Sequence, residues 1–381
     1  VPDRSPRAGP PAAGRAVIVV VAPEPAPWIA PTVRALAAFD LVELWAPWAM
    51  TAGWAALPGA AGRFAARRLL DGAGRPPVTQ PGWALAQAGA RWWAGAQVDR
   101  RYRLAFAERA LVDGWAAHRL ASLARAPSAV VGCTGAALRT FAVAARRGTR
   151  TALVGDLPWL RGLHADLDRA AAALPDRGFL RRFRAPREAI VRQEMERAQA
   201  DLVAVRGHYA HALCVEAGLD QARLCALPTA PRVVAAAPPP PGARTLRFAG
   251  LATARAGLDA TLAALAAHPE LRLGLRTGDG TEPPDVLTRP NVVAIDGDPW
   301  PDTLAVVAPA WCEAYPPELD AAIARGVPVI ATPAASGFAP THRVAPGDAD
   351  ALAAAIASVR AGAIASVNDR LPPTLDAALR R

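Results

Sequence analysis

Glu313 is the residue around which a chemistry can be built. It lies in VVAPAWCEAYPPELDAAIARGVPVIATPAASG, residues 306–337, which reads strand, loop, helix, tight turn, strand. Pro309 stops the first apolar run. Pro317 suits a first helical turn because no backbone donor is needed there. Gly326 ends the helix where a left-handed residue is inexpensive. A carboxylate beside a helix N-terminus, past the carboxyl end of a parallel strand, stands where open α/β sheets bind ligands. A second candidate is Asp156, in GDLPW (155–159) after the apolar strand Arg150–Val154. Its other reading is an N-cap for the segment that follows. A third is the turn Thr277, Gly278, Asp279 and Gly280, which closes the strand Leu271–Arg276.

Other chemistries are disfavoured. His208 and His211 form an HxxH without a carboxylate or thiol at metal spacing, which predicts a solvated pair rather than a zinc site. Cys133, Cys214, Cys225 and Cys312 show no close pairing, so reduced, buried thiols in a cytosolic protein are expected. No GxGxxG follows a strand, which argues against a dinucleotide oxidoreductase.

The elements that must position these residues belong to a chain of 381 residues, 52% hydrophobic and 20% charged, with 38 prolines. Lysine is absent, so arginine supplies all 43 basic side chains and the formal net charge is +10. This balance favours an anionic partner: nucleic acid, an acidic membrane or a phosphorylated substrate. The plain alternative is a generically basic surface. No nucleic-acid motif accompanies the charge, so nucleic acid is not an expected partner. No apolar run reaches the ~18–20 residues of a membrane span, and residues 1–15 lack the apolar centre of a secretory signal. Trp45, Trp48, Trp54, Trp83, Trp92 and Trp93 crowd one stretch. They suit sugar stacking, a lipid interface, or gap-filling in an Ala-rich core. Arg177, Arg181, Arg182, Arg184 and Arg187 alternate with Phe179, Leu180 and Phe183. That suits docking on anionic lipid, or a solvated basic turn.

Strands are expected over Ala16–Ala22, Leu41–Trp45, Ser128–Cys133, Arg150–Val154, Asp201–Val205 and Arg223–Leu227. Between them, helices are expected over Trp28–Phe39, Arg100–Arg125, Gly135–Arg147, Glu188–Ala200 and Tyr209–Ala217. PPPPG in Pro231–Arg244 reads as a semi-rigid linker, after which the alternation resumes. The fold class is therefore α/β: two Rossmann-like doubly wound domains facing a cleft. Expected boundaries are a disordered 1–15, a first domain 16–230, the linker 231–244, a second domain 245–362 and a tail with a last helix, 363–381.

With this order of elements, the chain resembles GT-B glycosyltransferases, and most of all the large family 4 of retaining, nucleotide-sugar-dependent enzymes. LRFAGLATARAGLDATLAAL (246–265) is similar to the family's first strand and helix of the donor domain. TGDG resembles its GxG turn, VVAPAWCEAYPP its PSxxExFG, and AAIARGVPVIAT its EAMACGVPVIAS. The resemblance implies a donor site made by Gly250, Arg255, Thr277, Gly278, Asp279, Gly280, Tyr315, Pro316 and Glu318, with Glu313 on the donor sugar and Asp156 on the acceptor side. It implies a nucleotide-sugar donor, a lipid-linked or glycan acceptor, and neither metal nor further cofactor. It further implies a cytoplasmic enzyme, peripheral on the inner face of the membrane, for which the Arg177–Arg187 stretch is the docking candidate read from the residues above. Several family positions differ. The second Glu of E-x7-E falls at Ala321, and the diphosphate-neutralising Arg and Lys fall at Leu251 and Ala256. The first-domain His falls at Gly155, and the Gly-rich first turn is PEPAPW. The alternative is thus a catalytically degenerate GT-B protein that serves as a binding or partner subunit in surface-glycan synthesis.

Overall fold

The computed structural model describes residues 16–24, 26, 28–50, 52–56, 58–66, 68, 76–94, 98–155, 158–174, 183–227, 237–276, 285–295, 300, 302–312, 316–335, 342–363 and 372–380. They form two six-stranded sheets. The first comprises β1 (Val17–Val21), β2 (Leu41–Trp45), β3 (Ala129–Cys133), β4 (Arg150–Gly155), β5 (Leu202–Val205) and β6 (Leu224–Ala226), in spatial order 2-1-3-4-5-6. The second comprises β7 (Thr245–Phe248), β8 (Arg272–Leu275), β9 (Val292–Ala294), β10 (Thr303–Ala308), β11 (Val329–Ala331) and β12 (His342–Arg343), in order 12-11-10-7-8-9. Strand pairs within each sheet run parallel. Counted within itself, the second sheet has the 3-2-1-4-5-6 order of dinucleotide-binding sheets, with its switch point between β7 and β10.

The expected strands and helices are found within a few residues of their predicted ends. Two places differ. Residues 48–93, for which no helix was expected, contain α2 (Ala52–Ala55), α3 (Gly59–Ala66) and α4 (Pro81–Ala94), after α1 (Ile29–Ala37). α5 (Val98–Ser122) and α6 (Leu138–Arg146) follow. Then α7 (Leu160–Ala173) occupies a segment for which no helix was expected. Its buried face is Leu160, Leu163, Leu167 and Ala170, a helical spacing that its run of alanines obscures. The remaining helices are α8 (Arg187–Gln199), α9 (His208–Glu216), α10 (Leu258–Ala266), α11 (Pro317–Ala324), α12 (Ala349–Arg360) and α13 (Leu375–Arg380).

Two compact units divide the chain. Unit 1 takes residues up to Val154, Pro186–Ala204 and Thr374–Arg381; unit 2 takes Gly155–Ala185 and Val205–Pro373. In unit 1 the tryptophans split between the readings open to them. Trp45 and Trp48 are fully buried; Trp45 meets Trp115 edge-on at 6.0 Å, and Trp48 Nε1 donates to the Ala22 carbonyl at 2.8 Å. They fill gaps in the core, whereas Trp92 and Trp93 do not. In unit 2 the second sheet is covered on both faces. Ala305 and Val307 pack with Leu265, Leu352 and Ile356 from α10 and α12. Val306 and Ala308, pointing the other way as a pleat requires, pack with Leu319 and Ala322 of α11. None of the four cysteines forms a disulfide, and all are buried.

Candidate functional site

The switch point of the second sheet is built by two close-packed loops. After β7 the chain turns at Gly250, φ +88°, where an added Cβ would lie 3.9 Å from Pro316 Cβ. Thr253 then accepts a hydrogen bond from the Ala256 N–H at 3.3 Å, and Gly257 turns left-handed at φ +87° to start α10. A Cβ on Gly257 would stand 2.2 Å from the Pro309 carbonyl oxygen, so only glycine lets the two loops approach this closely. The Trp311 N–H donates to the Arg255 carbonyl at 2.9 Å. The Arg255 guanidinium lies 4.3 Å from the centre of the Phe183 ring, a stacking cation–π contact.

The third side is the first turn of α11. Pro316 is its N-cap and Pro317 its first residue, so this turn offers fewer backbone donors than usual. The turn is acidic, and both of its carboxylates are engaged by arginines that follow strands. Arg276 Nη1, just past β8, lies 2.8 Å from Glu318 Oε1. Arg206 Nη2, just past β5, lies 3.1 Å from Asp320 Oδ2. Gly250, Arg255, Pro316 and Glu318 are thus placed around the carboxyl ends of β7, β8 and β10. Asp156, Thr277, Gly278, Asp279, Gly280, Glu313 and Tyr315 lie outside the described residues.

Sequence reasoning missed the wall beyond Trp311. Within unit 2, Trp311, Tyr209, Leu213, Asp166, Arg169 and Arg343 line a cavity of about 580 Å³. Trp311 packs closely against Gly347, φ +76°, whose added Cβ would come within 2.4 Å of Cζ2. Tyr209 donates its hydroxyl to Asp166, which also pairs with Arg169. Burial and the Asp166 carboxylate push the Tyr209 phenol up, so it stays neutral and remains a donor. The available signal was Trp311 itself, an aromatic two residues from Glu313 on a strand-end loop.

The first sheet has a comparable crevice where β1 and β3 part, and there the chain fills it. Arg109, 4% exposed, pairs with Glu24 and donates to the Thr134 carbonyl at 2.5 Å. Glu196, fully buried, accepts from the N–H groups of Gly135 (2.6 Å), Ala137 (3.0 Å) and Leu138 (3.2 Å) at the start of α6. Asp113 accepts from the N–H groups of Arg139 and Thr140, each at 2.8 Å, and Arg192 bridges the two carboxylates. A helix N-terminus is a ready anion site, but these two carboxylates already satisfy this one. Burial pushes the Glu196 carboxyl up to about 7, against the opposing pull of the backbone donors and Arg192.

Of the basic stretch, Arg177, Arg181 and Arg182 lie outside the described residues. Arg184 is paired with Asp168, Phe183 lies under Arg255, and Arg187 is exposed at the start of α8. Among the described residues no helix is long and apolar enough to cross a membrane.

Two parallel Rossmann-like sheets with helices around them, strand orders as above, define the GT-B glycosyltransferase fold. Solved structures bear this out. The apo form of the lipopolysaccharide outer core galactosyltransferase WaaB is similar over 91% of each chain, with TM-score 0.52 and 12% identity. Sucrose-phosphate synthase from Thermosynechococcus elongatus is similar over 91% of this chain and 90% of its own, with TM-score 0.57 and 15% identity. No protein-family model matches the chain, and no curated protein matches it in sequence.

Proposed function

We propose that this protein is a retaining glycosyltransferase of the family 4 kind, moving a sugar from a nucleotide-diphosphate donor to a lipid-linked or polysaccharide acceptor. The observation that carries the proposal is the contrast between the two crevices. In the second sheet, the loops after β7 and β10 close on each other and bring Gly250, Arg255, Pro316 and Glu318 around one strand-end opening. In the first sheet, Glu196 and Asp113 occupy the corresponding anion site. A diphosphate therefore belongs to the second.

Each residue has a stated task in this reading. Arg255 and the α11 N-terminus face the diphosphate, whose negative charge grows as the sugar leaves. The guanidinium suits this because its fork meets two phosphate oxygens at once. Glu313 holds hydroxyls of the donor sugar and Asp156 lies on the acceptor side, with Thr277–Gly280 and Tyr315 completing the donor pocket. Glu318 takes the ribose in place of the family carboxylate that is Ala321 here. The leaving phosphate accepts the acceptor proton on the same face, so no metal or further cofactor is invoked. The donor pocket belongs to 245–362 and the acceptor side to 16–230. The enzyme works in the cytoplasm at the inner face of the membrane, where lipid-linked acceptors are presented.

The non-catalytic reading has its own support. Pro316 and Pro317 withhold two donors, and Glu318 and Asp320 are already paired with arginines. Each charge-assisted bond to phosphate is worth roughly 1.5–3 kcal/mol, so losing two weakens donor binding by orders of magnitude. Calorimetry against a panel of nucleotide sugars, with a transfer assay on the same samples, decides between the two. Specific donor binding with transfer that Glu313→Ala abolishes is the expected result. Transfer that survives Glu313→Ala removes the assignment, and the lack of any donor binding favours the partner-subunit reading.

A further inference from the structure

The exposed tryptophans of α4 have no task in the chemistry above. α4 is anchored on one side only. Ala84 is buried with Met50 and Ala65, Ala94 is buried, and Gln87 Nε2 donates to Glu108 Oε2 of α5 at 2.9 Å. Residues 84, 87 and 94 make one face by helical spacing. On the opposite side stand Leu85, 53% exposed, Trp92, 85% exposed, and Trp93, 72% exposed. Gly82 and Gly89 lie on this side too, and an added Cβ at either would meet nothing within 4 Å. The face is therefore open as well as apolar.

Its surroundings are basic. From Gly72 to Val98 the chain has no acidic residue. Arg100 and Arg103 are exposed in the first turns of α5, and the Arg100 guanidinium lies 5.4 Å from the centre of the Trp93 ring. Tryptophan beside arginine on an exposed helix suits the headgroup level of a bilayer, where the ring is wet at one edge and apolar elsewhere. At on the order of 200 Å² per tryptophan, the pair offers roughly 300 Å² of apolar surface. That falls well short of the about 800 Å² per partner of a stable protein interface. Lipid insertion requires no such area, and each basic group near an anionic leaflet adds to it.

We infer that the Leu85, Trp92 and Trp93 face of α4, flanked by Arg100 and Arg103, is a docking surface for an anionic lipid bilayer. This face, rather than Arg177–Arg187, seats the protein on the membrane. The inference deepens the lipid-linked-acceptor reading and rests on it only for its biological sense, because the surface is independent of the donor site.

The test is flotation of the full chain with vesicles of phosphatidylcholine alone or mixed with phosphatidylglycerol. Thermal unfolding and solution mass are measured for every variant. The wild type floats with the mixed vesicles and not with phosphatidylcholine alone. Trp92→Ser/Trp93→Ser and Arg100→Glu/Arg103→Glu each lower the bound fraction about ten-fold or more at an unchanged unfolding midpoint. Arg187→Glu, exposed in the rival stretch, leaves binding as it was. The inference is overturned if the tryptophan variant floats like the wild type, or if the wild type floats with neither vesicle. It is equally overturned by a wild-type dimer that the tryptophan variant splits, which would make a second copy the occupant. Nucleotide-sugar binding measured on the same samples keeps the two readings apart: either result can fail while the other stands.

Discussion

Arg276 Nη1 lies 2.8 Å from Glu318 Oε1, tying the residue just past β8 to the first turn of α11. The carboxylate assigned to the ribose in place of the missing second Glu is thus held in place before any donor arrives. More than half of the Arg276 side chain is exposed, so the pair itself adds only about 0–1 kcal/mol to stability. Glu318→Gln should therefore leave the unfolding midpoint nearly unchanged. Donor affinity should fall about ten-fold or more, the worth of a hydrogen bond to a charged group. Calorimetry and thermal unfolding read the two effects separately. A fallen midpoint with intact donor affinity would assign the pair to structure alone.

Arg255 is positioned from both ends, by Trp311 on its carbonyl and by Phe183 under its guanidinium. Lysine would keep the charge and lose the planar stack and the fork. Arg255→Lys is expected to weaken donor binding about ten-fold and Arg255→Met more, with transfer falling in parallel. Equal affinity across the three proteins would remove Arg255 from the donor site.

Gly250 and Gly257 share nearly the same left-handed φ and differ in what surrounds them. An alanine at Gly250 would meet Pro316 Cβ at an ordinary 3.9 Å, so its cost is about the 1–2 kcal/mol of the backbone conformation. At Gly257 the same methyl would stand 2.2 Å from a backbone oxygen and force the Pro309 loop aside. Urea unfolding should show Gly257→Ala as much the more damaging, with donor binding lost alongside. Similar midpoints for the two variants would contradict this close approach.

Glu196 gives the protein a pH dependence of a definite sign. Its carboxyl is held at about 7 in the fold against 4.5 in the open chain, because burial disfavours the charge. Between those values the folded protein binds the extra proton, so this group's stabilisation is full below 4.5 and fades as pH rises through 7. Its size is at most roughly 3–4 kcal/mol at about 1.36 kcal/mol per unit. Glu196→Gln should be less stable throughout, since its NH2 faces backbone N–H groups, but without that slope. Denaturant titrations from pH 5 to 8 compare the slopes; a wild type gaining stability over this range through Glu196 would reverse the sign.

Much of this architecture was legible because short, continuous β-branched runs such as VIVVV favour buried strands, and because proline and glycine punctuate the helices between them. α11 is the clearest case, begun by Pro317 and ended at Gly326 as its residue types require. α7 was not legible because Ala170–Ala173 dilute the contrast on which periodicity depends. In the site, Gly250 and Pro316 were reached only through the resemblance to the GT-B pattern. The pairing of Arg276 with Glu318 could not be reached at all, because it depends on how far apart two strand ends fall. Nor could sequence tell which tryptophans fill the core: Trp45 and Trp92 look alike until the neighbours of each are known.

Unit 1 is assembled from three separate stretches, and its last is the segment from Thr374. That segment is anchored: Leu375 and Ala378 are buried, Arg380 lies over the Phe39 ring at 4.5 Å, and Arg150 Nη1 donates to the Leu379 carbonyl at 3.1 Å. Unit 2 ends at Pro373. On the ribosome the order of completion is therefore inverted. The unit that emerges first is completed last, and a truncation at Thr374 removes the contacts to Phe39 and Arg150.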